Sequence, residues 1–246
     1  LRNLPIKAKI IRDPTPASRM LRKLTGRHRW NFLPLPLYRE KADDVSFDPS
    51  VLELPSSCVL HGYFQSPRYF QSIEPALRRE IHFNDRILNR QSEESARKIR
   101  DSESVAIHIR RTDYIGNPNT DLCGHFYYET AIKRIRELTD SPSFFVFSDD
   151  PDWCRAHYHR PDFQIVDEPA SRTDPLNDLH LMSLAKHHII ANSSYSWWGA
   201  WIGKNPEQKV FMPDPWLHGI KSPREDRLCS GWETLPSQTA PYENLP

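Results

Sequence analysis

The stretch Val105–Asp113, VAIHIRRTD, is a short apolar segment that ends in two arginines and an aspartate. Side chains alternate between the two faces of a strand, so we expect His108 and Arg110 on one face and Ile107 and Ile109 on the other. Arginine forks match phosphate oxygens, and open α/β sheets bind ligands at the carboxyl ends of their strands. The stretch therefore predicts a pyrophosphate-binding site. The alternative is a solvent-exposed arginine pair that the aspartate neutralises.

The sequence downstream of this stretch alternates between strand-like and helix-like segments. Further strands are predicted at residues 143–147, 163–167, 188–191 and 209–213. Helices are predicted between them, at residues 126–138, from residue 152, at residues 175–186 with Asp174 as the cap, and up to residue 203. Because five strands alternate with helices, we predict an α/β fold whose C-terminal part is a doubly wound, mostly parallel sheet.

The sequence upstream of the stretch is less regular. Alternating apolar residues predict strands at residues 5–11 and 59–64. Helical patterns occupy residues 15–26, 72–80 and 92–100, the last with Ser92 as its cap. A charged run at residues 97–103 is interpreted as a linker. The predicted domains are therefore residues 1–101 and residues 102–246.

The composition excludes some classes of partner. The 246 residues carry a formal net charge of +1, which gives no global reason to expect nucleic-acid binding. Residues 1–40 differ, because they contain ten Lys and Arg residues but only two acidic residues, Asp13 and Glu40. This basic segment is either an ordinary solvated surface or a face for peripheral contact with an anionic membrane or acceptor. No apolar run reaches 18 residues, so no membrane span is predicted.

Three polar clusters follow the predicted strands. In a parallel sheet the carboxyl ends of the strands share one edge, so the clusters should converge there. The third cluster also opens a helix, whose free N–H groups and dipole favour an anion. A serine that only caps this helix is the alternative. The members are His108, Arg110, Arg111 and Asp113; Ser148, Asp149 and Asp150; and Asn192, Ser193, Ser194 and Ser196.

Two motifs near these clusters have more than one interpretation. Asp149-Asp150-Pro151-Asp152 could hold Mg²⁺ or Mn²⁺ against a diphosphate, or could only start a helix. Two arginines and a helix N-terminus already neutralise a diphosphate, so no metal is predicted. The WWGAW run at residues 197–201 could stack on sugars, but its helical spacing favours a place in the core.

Four segments together resemble the signature motifs of one enzyme family. VAIHIRRTDY at residues 105–114 resembles its HxRRxDY motif, and FVFSDDPDWC at residues 145–154 resembles its second signature. DLHLMSLAKHHIIANSSYSWWGAWI at residues 178–202 resembles the third and most specific signature. HGYFQSPRYF at residues 61–70 is also similar to a family segment. The family is glycosyltransferase family 11, the α-1,2-fucosyltransferases.

This resemblance implies a GT-B-like fold of two Rossmann-like domains, of which the C-terminal one binds GDP-fucose. It implies transfer of L-fucose from GDP-β-L-fucose to the 2-hydroxyl of galactose in a glycan, with inversion and with no essential metal or other cofactor. Family members begin with a Gly-rich segment of the type GGLGNQLFQYA, which this sequence does not contain. The N-terminal, acceptor-side domain is therefore expected to be incomplete.

Two alternative functions stay open beside this one. The chain could be a non-catalytic remnant that binds GDP or glycan, or a fucosyltransferase of different linkage such as α-1,6. A Golgi homologue would carry a membrane anchor, so a bacterial protein of the cytoplasm or the membrane periphery is expected. The four cysteines form no CxxC pair, which is consistent with free thiols in a reducing compartment.

The resemblance also implies roles for particular residues. Arg110 would bind the β-phosphate and stabilise GDP as it leaves, with support from Arg111. Asp113 is the first candidate for the carboxylate that deprotonates the acceptor hydroxyl, and Asp121 is the second. The remaining contacts to guanine, ribose and phosphates are expected from His108, Asp149, Asp150, Asn192, Ser193, Ser194 and Ser196.

Overall fold

A computed structural model describes residues 35–81, 83, 88–167 and 175–237. Their main element is a six-stranded sheet, and a separate two-stranded sheet precedes it in the chain. The strand expected at residues 5–11, the helix expected at residues 15–26 and the cap expected at Asp174 lie outside the described residues.

The described strands and helices follow the predicted order. The strands are β1 (Leu37–Arg39), β2 (Val59–His61), β3 (Ser104–Ile109), β4 (Ser143–Ser148), β5 (Phe163–Val166), β6 (His187–Ile189), β7 (Val210–Asp214) and β8 (Trp232–Pro236). The helices are α1 (Glu74–Glu80), α2 (Arg90–Arg100), α3 (His125–Leu138), α4 (Pro151–His157), α5 (Leu176–Leu184) and α6 (Ser194–Ile202). Strands β1 and β8 were not predicted from the sequence.

The six-stranded sheet has the order β5-β4-β3-β6-β7-β8, and each neighbouring pair is parallel. The chain winds outward from β3 in one direction and then from β6 in the other, which is the strand order of a Rossmann fold. The predicted α/β class and the doubly wound sheet are therefore confirmed. The crevice between the carboxyl ends of β3 and β6 is the switch point at which such sheets bind ligands.

Strand β3 is buried along its whole length because helices cover both faces of the sheet. Val105, Ile107 and Ile109 pack with buried residues of α3 and α4. Ala106 faces the opposite way and packs with α2 and α5. Each fully buried aliphatic side chain contributes about 1.5–3 kcal/mol of transfer free energy. The alternation expected from VAIHI therefore places His108 on the face away from α3.

Helix α2 begins earlier than predicted. The side chain of Asn89 accepts hydrogen bonds from the backbone N–H groups of Gln91 and Ser92, both at 2.9 Å, and so caps the helix. The prediction of Ser92 as the cap is wrong, because an asparagine three residues upstream already satisfies these free N–H groups. Ala96 and Ile99 of α2 pack on the sheet that follows. The boundary between residues 101 and 102 stays a prediction.

The described residues before α2 contain the parallel pair β1–β2, short 3-10 turns and α1. They are tied to the loop between β7 and β8 through Asp226, whose side chain is almost completely buried. Asp226 Oδ2 accepts a hydrogen bond of 2.7 Å from the backbone N–H of Phe47, and Oδ1 forms a 2.9 Å ion pair with Arg68. None of the helices within the described ranges has the length and apolar content needed to cross a bilayer.

Candidate active site

Arg110 follows β3 at the switch point, and its side chain is about one third exposed. Its Nε donates a hydrogen bond of 2.7 Å to Oδ1 of Asp113 and lies 3.4 Å from Oδ2 of Asp149. The guanidinium also lies over the ring of Tyr114, 5.8 Å from its centroid. This hydrogen bond holds the pKa of the Asp113 carboxyl below its usual range. Arg110 is therefore a cation at a solvent-accessible strand end, held between the largely exposed carboxylate of Asp113 and the mostly buried carboxylate of Asp149.

Asp149 fixes the loop that carries Arg110. One carboxylate oxygen accepts the backbone N–H of Arg111 at 2.9 Å. The other accepts the backbone N–H of Thr112 at 3.1 Å and also its hydroxyl hydrogen bond. These three bonds clamp the first turn after β3 to the end of β4. The structure thus gives Asp149 a positioning contact to the arginine loop, in addition to the nucleotide contact predicted for it.

Arg111 points away from the cleft, although it is adjacent to Arg110. It is buried, its Nε lies 3.1 Å from Oδ2 of Asp150, and its guanidinium lies 3.7 Å from the ring centroid of Trp153. Asp150 also caps α4 by accepting the backbone N–H of Trp153 at 3.2 Å. The capping role considered for the Asp-Pro motif is therefore present. The predicted nucleotide contacts of Arg111 and Asp150 stay predictions.

His108 lies in the wall of the cleft and is almost completely buried. Burial, reinforced by the positive charge of Arg110, lowers the pKa of its imidazole to about 4, so the ring is neutral at pH 7. Its buried Nδ1 has no hydrogen-bond partner in the structure. The backbone carbonyl of His108 accepts a 2.9 Å bond from Tyr128, which anchors the strand end to α3. A neutral ring with an unpartnered nitrogen is suited to a hydrogen bond with a base or ribose.

Two residues of the Asn192–Ser196 cluster are occupied by the fold. The amide nitrogen of Asn192 donates to the carbonyls of Thr120 at 2.9 Å and Trp216 at 3.2 Å. The hydroxyl of Ser196 is buried and donates to the carbonyl of Ser193 at 3.2 Å. Sequence alone identifies these residues as polar and adjacent to the strand end, but it does not reveal these internal partners.

Two other serines of this cluster reach the surface of the site. Ser193 is the N-cap residue of α6 and lines the cleft. Ser194 is the first residue of α6 and is exposed. The first N–H groups of a helix have no partner within the helix and attract anions. The N-terminus of α6 therefore faces the same crevice as Arg110, as the sequence predicted.

The cleft has a volume of about 790 Å³ and runs along the carboxyl ends of β3, β4 and β5. Its lining includes residues that were not predicted as site residues from the sequence, and three of these are apolar or aromatic and adjoin His108 or the strand ends: Phe147, Val166 and Tyr195. Tyr195 lies 5.6 Å from the His108 ring between centroids. The sequence could have indicated Tyr195 as a cleft residue, because it directly follows Ser194 of the predicted cluster. Together these side chains give the otherwise charged cleft an apolar section.

The two candidate bases occupy different places. Asp113 lines the cleft beside Arg110. Asp121 lies in the loop before α3, where its Oδ2 accepts a 2.9 Å hydrogen bond from the backbone N–H of Gly116, and it is not among the residues that line the cleft. The structure thus brings Asp113, and not Asp121, to the predicted phosphate-binding residues. In the described part of the chain no group of three or more His, Cys, Asp or Glu residues could hold a metal ion.

The tryptophans of α6 lie mainly in the core, as their spacing predicted. Trp197 and Trp201 are buried against β7, β8 and the loop between them. Trp198 is only partly buried and stacks on Phe70, with 5.4 Å between ring centroids. The helix therefore connects the switch point with the segment that precedes α1.

Comparison with known proteins gives this arrangement a family context. The sequence model of the family named Glycosyl transferase family 11 matches residues 39–232, a range that includes every site residue discussed above. An α-1,2-colitosyltransferase of Escherichia coli is 38% identical over 169 residues, covering 63% of this chain and 55% of that protein. The O-antigen biosynthesis glycosyltransferase WbnK of Escherichia coli is 31% identical over 68% of this chain and 58% of its own length.

A mammalian relative is more distant. The galactoside 2-alpha-L-fucosyltransferase SEC1 of Bos taurus is 28% identical over 108 residues, which cover 42% of this chain and 29% of that protein. The chain thus spans little more than half the length of the two bacterial relatives that it matches.

Proposed function

Because the chain belongs to glycosyl transferase family 11, we propose that it transfers L-fucose from GDP-β-L-fucose to the 2-hydroxyl of a galactose in a glycan. The transfer inverts the anomeric carbon and requires no metal. The observation that carries this proposal is the placement of Arg110 and the N-terminus of α6 at the two sides of one switch-point crevice. This pair of positive groups suits the diphosphate of a nucleotide sugar.

In this proposal Arg110 acts on the leaving group. The bond between the anomeric carbon and the β-phosphate oxygen breaks, and its electron pair leaves with GDP. A guanidinium aimed at that phosphate stabilises the developing negative charge without a metal ion. The first N–H groups of α6, with Ser193 and Ser194, supply further donors for the phosphate oxygens.

Asp113 is the proposed base for the acceptor hydroxyl. While it is paired with Arg110 at 2.7 Å, its pKa is lowered and it is a weak base. A diphosphate that binds Arg110 competes for the same guanidinium and releases the carboxylate. Asp113 would then take the proton of the 2-hydroxyl as the hydroxyl oxygen attacks the anomeric carbon from the face opposite GDP. Donor binding would thus prepare the base.

His108 and the apolar section of the cleft are the proposed site of the nucleoside. A neutral imidazole with an unpartnered nitrogen provides one hydrogen bond. Phe147, Val166 and Tyr195 provide surfaces against which a base packs. Arg111 and Asp150 act indirectly in this scheme, by holding α4 against the loop that carries Arg110.

A related donor is the second candidate. The Escherichia coli relative at 38% identity is named for colitose, a 3,6-dideoxy sugar that differs from L-fucose at carbon 3. The acceptor is proposed to be a galactose-ended glycan of a bacterial surface polysaccharide. This accords with the relative that is named for O-antigen biosynthesis.

The test is transfer from labelled GDP-fucose, and separately from GDP-colitose, to lactose in the presence of EDTA. We expect a product whose linkage, determined by NMR, is to the 2-hydroxyl of galactose. Arg110→Ala should lower the rate by at least about 100-fold, the scale reported for loss of one preorganised oxyanion donor. Arg134→Ala is the matched control, because Arg134 is an exposed arginine on α3 that pairs with Glu137 and Glu233 and does not line the cleft.

Each contrary outcome identifies a different error. Binding of GDP without transfer from either donor would favour the non-catalytic remnant. An α-1,6 product would contradict the proposed linkage. Full activity of Arg110→Ala would exclude the leaving-group role of Arg110, and loss of transfer in EDTA that Mg²⁺ or Mn²⁺ restores would contradict the metal-independent mechanism.

A further inference from the structure

A second, smaller cavity lies between the segment that precedes α1 and the start of α6. Its volume is about 120 Å³. Since a water molecule takes up about 30 Å³ in the liquid, this space corresponds to roughly four waters, which limits a ligand to about one sugar ring. Six of its ten lining residues are aromatic: Tyr63, Phe64, Phe70, Trp197, Trp198 and Trp216.

The aromatic walls are held in place by their own contacts. Phe70 stacks on Trp198. It also contacts Trp201 edge-on, with 5.3 Å between the centroids of Phe70 and Trp201. Trp197 and Trp198 are nearly perpendicular at 5.2 Å. Tyr63 differs from these residues, because it is 81% exposed at the rim. The cavity therefore has preformed apolar walls and one tyrosine at its entrance.

The polar part of the cavity is provided by Gln65 and Arg227. The Oε1 atom of Gln65 accepts a 2.9 Å hydrogen bond from Trp216 Nε1 and a 3.5 Å bond from Arg227 Nε. Both partners are donors, which fixes the orientation of the amide and directs its NH₂ group away from them. Arg227 is almost completely buried, and its nearest acceptors are uncharged oxygens at 3.3–3.5 Å. The cavity thus offers donors for the hydroxyl oxygens of a ligand.

The cavity and the cleft meet at the N-terminus of α6. Ser193 lines the cleft, and the next residue, Ser194, lines the cavity. If a nucleotide sugar binds with its diphosphate at this helix N-terminus and its nucleoside in the cleft, its sugar lies on the side of Ser194. The ligand chemistry that fits an aromatic cavity with a few hydrogen-bond donors is a ring with an apolar face and hydroxyl groups.

We propose that this aromatic cavity binds the 6-deoxy sugar of the nucleotide donor, with its C6 methyl group against the rings at the rim formed by Tyr63 and Trp198. This inference rests on the proposed function, because it requires a nucleotide sugar whose diphosphate lies at α6. The amide of Gln65 donates to a sugar hydroxyl, and Arg227 holds Gln65 in position. A hexose that keeps its 6-hydroxyl group would set that hydroxyl against the ring carbons of Tyr63 and Trp198, which offer it no hydrogen-bond partner.

The experiment is saturation-transfer NMR on GDP-fucose without an acceptor, for the wild type, Tyr63→Ala and the control Phe126→Ala. Tyr63 and Phe126 are both exposed aromatics, and Phe126 lines neither the cleft nor the cavity. Two protons of the same ligand report the two regions, guanine H8 for the cleft and the fucose C6 methyl for the cavity. We expect Tyr63→Ala to lower the methyl signal at least threefold relative to H8, while Phe126→Ala leaves the ratio unchanged.

Kinetics provide the second readout. Tyr63→Ala should raise KM for GDP-fucose at least fivefold and leave the Kd of GDP within twofold of the wild type. An unchanged methyl-to-H8 ratio would overturn the proposal. An increase in KM for lactose alone would also overturn it, because the cavity would then belong to the acceptor. The NMR readout requires binding of GDP-fucose but no turnover. A wild type that transfers no sugar but still shows the methyl signal would therefore refute the proposed function while supporting the donor-sugar site.

Discussion

The two ends of the six-stranded sheet carry similar polar residues but bond them differently. At the amino end, Glu103 accepts Lys186 Nζ and His187 Nε2, both at 2.8 Å. The other ring nitrogen of His187 accepts the backbone N–H of Lys209 at 3.0 Å. At the carboxyl end, Nδ1 of His108 has no partner, and Arg110 faces the cleft.

Cavity volume does not distinguish the two ends. The amino-end cavity measures about 820 Å³ and the carboxyl-end cleft about 790 Å³. What distinguishes the two cavities is the histidine that lines each of them: both ring nitrogens of His187 are bonded within the protein, whereas Nδ1 of His108 is not. A buried polar group without a partner costs free energy, and a ligand can remove that cost. The carboxyl-end cleft is therefore the cavity that borders a buried histidine nitrogen left without a partner, which supports it as the candidate binding site.

The largest expected effect is in the pH dependence of stability, which tests whether the carboxyl-end histidine is held neutral. Burial lowers the pKa of His108 from 6.5 to about 4 in the folded chain, whereas the unfolded chain takes up the proton near pH 6.5. This contribution to stability is complete above pH 6.5 and is lost as the pH falls towards 4. A shift of this size corresponds to a loss of about 3 kcal/mol. Urea unfolding of the wild type at several pH values, compared with His108→Gln, measures it.

In that experiment His108→Gln should have a smaller slope of the unfolding free energy between pH 6.5 and pH 4. His188, which is buried and has a similarly lowered pKa of about 4, still titrates in the variant, so part of the slope should persist. An identical slope in the two proteins would show that His108 is not held neutral by burial. The contrast between the two ends of the sheet would then be broken.

The second prediction concerns Arg111, which lies at the carboxyl end but pairs with Asp150 and stacks on Trp153 instead of lining the cleft. Loss of its pair with Asp150 and of its contact with Trp153 should destabilise the fold. Breaking a fully buried pair costs roughly 3–5 kcal/mol, and we expect about 2 kcal/mol for Arg111→Met because Asp150 is 34% exposed. Urea unfolding measures this loss.

Arg155→Met is the control for Arg111→Met, since Arg155 is a half-exposed arginine of α4 that pairs with Asp152 and Asp167. Its effect on the free energy of unfolding should stay below about 1 kcal/mol. The remaining folded Arg111→Met protein should transfer sugar at a rate within a few-fold of the wild type. A variant that kept full stability but lost transfer would move Arg111 into the group of ligand-binding residues.

The smallest effect is expected at the amino end. Glu103→Gln removes the negative charge shared by Lys186 and His187, and these contacts are about one third exposed at the carboxylate. Exposed pairs contribute little, so the free energy of unfolding should fall by less than about 1 kcal/mol. The KM for GDP-fucose and the kcat should not change. A large change in either kinetic constant would mean that the amino end also takes part in binding.

The sequence predicts the sheet well because its strands are continuous apolar runs with turn residues between them. Strand β8 was missed because Trp232–Pro236 combines Glu233 and a proline in the last strand of the sheet, which pairs with β7 alone among the described strands. Local composition there resembles a loop. The packing of β8 beside β7 depends on a long-range contact that no local pattern reveals.

Prediction of the site was limited in a different way. Residue type and spacing located Arg110, His108, Ser193 and Asp113 at one edge, and the structure places all four in the cleft. The same criteria could not separate them from Asn192, whose amide is bonded to Thr120 and Trp216. Neighbouring residues of the same chemistry differ only in their partners, and these come from distant parts of the chain.

The bonds at Asp226 have a consequence for biosynthesis. Phe47 pairs with a residue 179 positions later in the chain, and Arg68 with one 158 positions later. A ribosome adds about 5–20 residues per second, so the early segment waits roughly 10–35 s before its partner is made. During the first part of this interval, until α6 has been synthesised, the aromatic residues near Phe70 lack the helix whose Trp198 stacks on them in the finished protein. We therefore expect the nascent chain to expose an apolar surface of the kind that chaperones bind until α6 has left the ribosome.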